Sequence, residues 1–98
     1  MIAAFSITPL GIGESVSSGV ADAVRLVRES GLANETNAMF TNVEGEWDDV
    51  MNLIKACVMK VAEHAPRVSV VIKVDHRPAV ADAMHGKVRA IEERLQYR

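Results

Sequence analysis

The chain has 98 residues, a formal net charge of −2 and a composition that is 49% hydrophobic, with two Phe, one Trp and one Tyr. This length predicts one domain across residues 1–98, because a second domain would need roughly 50 more residues. A charge so close to zero excludes the clustered Lys and Arg on which nucleic-acid binding depends. Apolar runs such as residues 70–72 fall far short of the ~18 residues of a membrane span. We therefore expect neither a nucleic-acid nor a membrane partner.

The only cysteine of the chain, Cys57, cannot form an internal disulfide and has apolar neighbours at helical spacing. Such a residue is typical of a small core side chain in a reducing compartment. The N-terminus also lacks the basic region of a signal peptide. These features predict a cytoplasmic protein.

The N-terminal third of the chain predicts a strand and a helix. Residues 2–8 hold β-branched and aromatic side chains and are followed by a proline and two glycines, which is typical of a strand that enters a loop. From Ser15, a candidate N-cap, an apolar stripe at helical spacing predicts a helix that ends at Gly31. The stripe comprises Val16, Val20, Val24 and Val27.

A hairpin and a second helix follow. Residues 32–44 are polar with little charge, which favours two strands that turn near Asn37 and Ala38. Beyond Gly45, acidic residues stand where a helix N-terminus favours them, and Pro66 is predicted to end this helix. Its apolar stripe is the most regular in the chain and comprises Val50, Leu53, Ile54, Cys57, Val58 and Val61.

A last strand and a last helix complete the predicted elements. Residues 68–75 alternate between two faces. The face predicted to be buried carries Val68, Val70, Ile72 and Val74, and the other carries Ser69, Val71, Lys73 and Asp75. Pro78 is predicted to open a final helix with apolar positions Val80, Met84, Val88, Ile91 and Leu95.

The predicted order βαββαβα is that of an α+β, ferredoxin-like sandwich with an extra C-terminal helix, in which two helices cover one face of a four-stranded antiparallel sheet. The usual strand order, 4-1-3-2, places the first and last strands side by side. Ser6 and Thr8 should then lie near Ser69 and Val71, with Lys73 opposite Ala4. All of these residues are expected on the open face, which the first two helices do not cover. Its mixture of apolar and polar residues favours sheet association or a pocket.

Several functions found on this fold lack their characteristic residues here. RNA recognition needs stacking aromatics on the central strands, but Phe5 is expected in the core. Residues 9–14 contain neither the Cys pair of a metal chaperone nor the arginine of an acylphosphatase. No Ser/His/Asp or Cys/His signature is present either. The sequence therefore gives no indication of catalysis or of a bound cofactor.

The three histidines of the chain are candidate functional groups. His64 is expected late in the second helix, where it would face the exposed carbonyls of the helix C-terminus. His76 and His85 have a different possible role, because together with Asp75 or Asp82 they would provide ligands for a metal ion. Their spacing matches no metal motif. The sequence therefore predicts no metal site.

Four segments in the same order resemble the thiamine-binding protein family. They are I-T-P-L-G-I-G-E-S-V-S (residues 7–17), V-E-G-E-W-D-D-V-M (43–51), R-V-S-V-V-I-K-V-D-H-R (67–77) and G-K-V-R-A-I-E-E-R-L (86–95). The resemblance implies a ferredoxin-like protomer that pairs into homodimers and commonly into dimers of dimers. It also implies a site for thiamine or its hydroxymethylpyrimidine moiety near a subunit interface, with no established catalytic activity.

The polar strand positions of the family correspond to a set of candidate ligand-binding residues: Ser6, Thr8, Asn37, Thr41, Ser69, Lys73 and Asp75. Short hydroxyl and amide groups suit the donors and acceptors on the edge of an aminopyrimidine. A cationic thiazolium would favour a carboxylate such as Asp75 or Glu44.

Phe40 joins this candidate set, because residues 34–41 read N-E-T-N-A-M-F-T where the family commonly has Y-E-L-T-P-M-G-T. On the open side, Phe40 would either stack on a pyrimidine or fill its place. The first case predicts a non-enzymatic small-molecule binder. The second predicts a structural module whose open face serves only oligomerisation.

Overall fold

The computed structural model describes residues 1–11, 17–77 and 82–96. Within these ranges four strands and three helices follow one another along the chain. They are β1 (Ile2–Leu10), α1 (Ser17–Glu29), β2 (Ala33–Thr36), β3 (Thr41–Glu44), α2 (Trp47–Ala62), β4 (Arg67–Asp75) and α3 (Ala83–Gln96). This order confirms the predicted α+β class with its additional C-terminal helix.

The four strands form one antiparallel sheet in the order β2-β3-β1-β4, which is the predicted order. The register between β1 and β4 places Ser6 opposite Val71 and Thr8 opposite Ser69. Ala4 lies opposite Lys73, as the sequence predicted. Because side chains alternate along a strand, these residues share the face away from α1 and α2.

The hydrophobic core lies between the other face of the sheet and these two helices. Its buried side chains come from the central strands β1 and β3, from α1 and, at helical spacing, from α2; they are Ala3, Phe5, Val43, Ala23, Val27, Val50, Ile54, Cys57 and Val61. Phe5 and Cys57 are therefore core residues, as predicted. Burial raises the pKa of the Cys57 thiol to about 11.

The helices do not cover β4 completely. Val68 and Val70 are half-buried, but Ile72 is 40% exposed and Val74 is 36% exposed. The prediction that all four residues of this face are buried is therefore wrong at its C-terminal half. The reason is that β4 is an edge strand, whereas the core residues of the sheet lie on the two central strands.

The apolar stripe predicted for α1 is also only partly correct. Val27 packs in the core, but Val20 is exposed, and Gly19 and Ala23 take the buried positions instead. Ser15 and Val16 lie outside the described residues. Small residues on this face allow the two helices to approach closely, since a Cβ on Gly19 would lie 3.7 Å from the Cα of Val61.

The ends of the other helices differ from the predicted ones. The helix α2 ends at Ala62, so His64 lies just beyond it. The backbone N–H of His64 donates a hydrogen bond to the carbonyl of Val61 at 3.0 Å. The helix α3 begins at Ala83, because Asp82 has a left-handed backbone with φ of 54°. Pro78 and Val80, which were predicted within this helix, lie outside the described residues. Of the helices in the described ranges, none is long and apolar enough to cross a membrane.

Candidate functional site

A cavity of about 240 Å³ lies on the helix side of the sheet, between α1 and the β2–β3 hairpin. Phe5, Ser6 and Ile7 of β1 and residues 36–41 of the hairpin line it. The opposite wall is formed by helical residues, namely Val20, Ala23, Val24, Val27 and Val61. The cavity is thus an apolar space that receives polar groups mainly from the hairpin.

Asn37 fixes the loop of the hairpin. Its Oδ1 accepts hydrogen bonds from the backbone N–H groups of Met39 and Phe40, both at 2.9 Å, and its own N–H donates to the carbonyl of Phe40 at 2.9 Å. An Asn side chain that bonds to the following backbone in this way stabilises a turn. These bonds engage Oδ1, so the Nδ2 amide is the side-chain group that Asn37 can offer a ligand.

Phe40 lines this cavity, at the end of the loop that leads into β3. The phase of the hairpin follows from the register, in which Thr41 lies opposite Phe5, and from the complete burial of Val43. Thr41 and Val43 therefore face the helices. The hydroxyls of Thr41 and Thr36 lie 3.3 Å apart on the same side.

The other predicted ligand-binding residues lie on the open face. Thr8 and Ser69 are opposite each other and exposed, and Lys73 is four residues further along β4 on the same face. Asp75 accepts a hydrogen bond from the ammonium group of Lys87, and this bond holds the pKa of its carboxyl below the ordinary value.

The predicted set therefore divides into two groups separated by the sheet. Asn37, Phe40 and Thr41 meet at the cavity, and Ser6 borders it from the central strand. Thr8, Ser69, Lys73 and Asp75 do not join them. Ser6 is predicted from the sequence to lie with the second group, and by alternation its side chain does belong to the open face.

The apolar lining of the cavity was not recognised from the sequence. Val20 and Val24 were assigned to the core stripe of α1, but both line the cavity, and so does Met39, which is 73% exposed. A signal was available, because Met39 and Phe40 are large apolar residues inside an otherwise polar hairpin.

The first turn of α3 covers one end of the open face. Its backbone N–H at Ala83 donates to Oε2 of Glu44 at 2.6 Å, and Lys87 binds Asp75. Glu44 and Asp75, the two carboxylates predicted from the sequence as partners of a thiazolium, are thus both bound by this helix.

His85 completes the attachment of α3. Its Nε2 lies 2.7 Å from Oε1 of Glu35, and its Nδ1 lies 2.8 Å from Oδ1 of Asp82. The hydrogen bond to Glu35, which has the larger effect, and the one to Asp82 both raise the pKa of His85. His76, its suggested metal partner, instead packs edge-on against Trp47, with ring centroids 5.5 Å apart. Across the described part of the chain, no group of three potential ligands is placed to hold a metal ion.

Comparisons with known proteins agree with this architecture. The profile of a family described as thiamine-binding protein matches residues 3–92. A UPF0045 protein of Mycobacterium bovis is 54% identical over 96 residues, which cover 97% of this chain and 94% of that protein. The crystal structure of a hypothetical protein from Methanocaldococcus jannaschii superposes with a TM-score of 0.83 at 36% identity, covering 94% of this chain and 95% of the other.

A more distant structure shares the fold alone. It is a Thermotoga maritima protein for which a role in thiamine biosynthesis or salvage has been suggested, with a TM-score of 0.77 and 16% identity over 91% of this chain and 96% of the other. The profile match and the closer relatives carry the family assignment. This chain belongs to the thiamine-binding protein family.

Proposed function

We propose that the protein is a cytoplasmic, homo-oligomeric small-molecule binder that takes up thiamine or its hydroxymethylpyrimidine moiety without transforming it. The observation that supports this proposal is the cavity beneath the hairpin, where an aromatic ring, a threonine hydroxyl and an amide meet on an apolar wall. Apolar cavities with a few convergent polar groups are the usual form of small-molecule sites.

The dimensions of the cavity favour the pyrimidine over the whole of thiamine. Its volume of about 240 Å³ is below the roughly 300–1,000 Å³ of sites for drug-sized ligands. The pyrimidine would lie against Phe40, with its edge directed to the Thr41 hydroxyl and the Asn37 amide. A thiazolium attached to it would extend beyond the cavity.

The proposal places the open face at a contact between subunits. Val71 is exposed there, and so are Thr8 and Ser69 on the same face. The sheet leaves this face uncovered, and a chain of ~98 residues buries little apolar surface alone. Light scattering is expected to show a dimer or a dimer of dimers at micromolar concentration.

Calorimetric titration with thiamine and with free hydroxymethylpyrimidine tests the ligand. We expect measurable binding that Thr41→Val weakens by about tenfold, because the buried edge of the ligand loses a hydrogen bond. Thr8→Val is the matched control on the open face and should leave the affinity unchanged. Absence of heat at millimolar ligand refutes the proposed ligand, and a loss confined to Thr8→Val would move the site to the open face.

The second candidate is a structural module that only assembles, and it is favoured by the exposed apolar residues Val88, Ile91 and Leu95 of α3. Phe40→Gly distinguishes the two. In a binder it removes the stacking ring and weakens ligand binding by about tenfold or more. In a structural module Phe40 serves only packing within the protomer, so the same change should lower the melting temperature and leave no ligand affinity to lose. A gain of thiamine binding on Phe40→Gly would contradict both roles of the ring.

A further inference from the structure

A groove on the outer surface of α1 adjoins the cavity. The helix contributes Ala21, Arg25, Arg28 and Glu29 to it, while Val24 and Thr36 line both the groove and the cavity. These two shared residues form the boundary between them. A ligand whose ring occupies the cavity can therefore extend across Val24 into the groove.

Helix geometry explains why charge lies so close to an apolar site. Residues three or four positions apart share a helix face, so Val20, Val24 and Val27 form the stripe that faces the cavity. Arg25 and Arg28 are spaced in the same way on the adjacent stripe. Each guanidinium is thus carried on the same helix as the cavity wall.

The charges of the groove differ in how they are engaged. Arg25 binds Oδ1 of Asp22 at 3.1 Å. Arg28 makes no ion pair with any residue that the structure describes, and Glu29 likewise has no cationic partner in these ranges. The groove thus offers a guanidinium and a carboxylate side by side.

Among the residues that the structure describes, no other carboxylate lines this groove. Glu44 and Asp75, which the sequence had suggested for a thiazolium, lie across the sheet and bind α3. Among the residues that line the cavity and the groove, Glu29 is the one acidic side chain. A ligand that carries both a cation and an anion beyond its pyrimidine would find both partners here.

We propose that this groove binds the phosphorylated tail of the ligand, with the phosphate ester at Arg28, assisted by Arg25, and the thiazolium towards Glu29. This inference rests on the proposed function and extends it from a pyrimidine to a phosphorylated pyrimidine compound. Guanidinium groups bind phosphate oxygens through two parallel hydrogen bonds, which are stronger than bonds between neutral groups.

Calorimetry on the full chain tests the inference with four probes: thiamine, thiamine monophosphate, hydroxymethylpyrimidine and its phosphate ester. At low salt we expect thiamine monophosphate to bind about tenfold more tightly than thiamine. In the hydroxymethylpyrimidine ester the phosphate is on the carbon that carries the thiazolium in thiamine, so this ester should show a smaller advantage over its parent. The advantage should shrink at high salt, because the groove is exposed to solvent.

Arg28→Gln is expected to remove the advantage of thiamine monophosphate while leaving the affinity for the two unphosphorylated compounds unchanged. Arg67→Gln, which removes an exposed arginine at the start of β4, is the matched control and should retain the advantage. Arg28 also stands in the last turn of α1, where a cation stabilises the helix C-terminus. A purely structural role would lower the melting temperature and weaken all four probes together.

The outcomes separate this inference from the proposed function. Equal affinities for thiamine monophosphate and thiamine overturn the groove and leave the pyrimidine site intact. An equal loss for all probes in Arg28→Gln, or the same selective loss in Arg67→Gln, also overturns it. Absence of binding by every probe refutes both proposals, and retention of the thiamine monophosphate advantage in Arg28→Gln refutes Arg28 as the phosphate ligand.

Discussion

Gly11 and Gly31 are the two glycines that the described backbone holds at positive φ, at 84° and 80° respectively. A Cβ at Gly31 would meet nothing within 4 Å, whereas one at Gly11 would lie 2.9 Å from Cγ of Pro66. A residue with a Cβ would therefore be strained by the left-handed backbone at both sites, and at Gly11 it would also clash with Pro66. The two sites allow the two effects to be measured separately.

Gly31→Ala should lower the free energy of unfolding by about 1–2 kcal/mol, which is the cost of the left-handed conformation for a residue with a Cβ. Gly11→Ala should cost at least about 1 kcal/mol more, because the ring of Pro66 must move. Urea denaturation of both variants measures the difference. Adding Pro66→Ala to Gly11→Ala should recover part of the excess. Equal losses for the two single variants would show that the clash contributes nothing.

At this scale the sequence predicted residues whose environment is set by a regular pattern. Phe5, Cys57 and Val61 are buried because alternation or helical spacing places them towards the core. The orientation of Phe40 was not predictable in this way. Phe40 lies in the loop before β3, so strand alternation does not set its direction, and the conformation of this loop is fixed by the hydrogen bonds between Asn37 and Phe40.

The helix α3 shows how an element can be attached through one end. Ala83 and Met84 are buried, but the residues from Lys87 to the end of the helix are exposed. The attachment uses one carboxylate from each of three strands, Glu35, Glu44 and Asp75. Because the contacts of Glu35 with His85 and of Asp75 with Lys87 are exposed ion pairs, their strength should depend on salt and pH.

The pH dependence of this attachment follows from His85. Its folded-state pKa is raised above the ordinary 6.5 by its bonds to Glu35 and Asp82, so folding favours the protonated ring. The resulting stability is fully present below the unfolded pKa and is lost as pH rises through the folded pKa. We therefore expect the melting temperature of the wild type to exceed that of His85→Gln most clearly near pH 6.

The gap should close towards pH 9, as measured by thermal denaturation of both proteins across the range. His76→Gln removes an imidazole that has no carboxylate within 4 Å among the residues described, and it serves as the control. A gap between wild type and His85→Gln that widens with pH would contradict the assigned sign.

The elements themselves were largely predictable, and the errors concern their surroundings. Helical spacing identified α2, and the alternation of residues 68–75 identified β4. Neither pattern indicated that Ile72 would remain exposed, because the coverage of an edge strand depends on where the helices cross the sheet. Similarly, the start of α3 depends on the left-handed Asp82.

For the molecule as a whole, the radius of gyration is 15.2 Å, above the ~13 Å of a compact domain of about 100 residues. The excess agrees with a C-terminal helix that extends from the body with Val88, Ile91 and Leu95 between 56% and 61% exposed. The sequence predicted the amphipathic stripe of this helix but not its lack of a partner within the described chain. The spacing of apolar residues identifies the face of a helix that is suited to burial. It does not show whether the surface that covers this face belongs to the same molecule.

If the apolar stripe of α3 is buried by a second subunit, Ile91→Glu should weaken self-association by at least about tenfold, because it places a charge in an apolar contact. Ala90→Glu introduces the same side chain on another face of the same helix and is the matched control. Light scattering across micromolar concentrations should show the wild type and Ala90→Glu as oligomers and Ile91→Glu shifted towards the monomer. A monomeric wild type would contradict the oligomer itself. Equal association of the two variants would assign assembly to another surface, for which the open face around Val71 is the alternative.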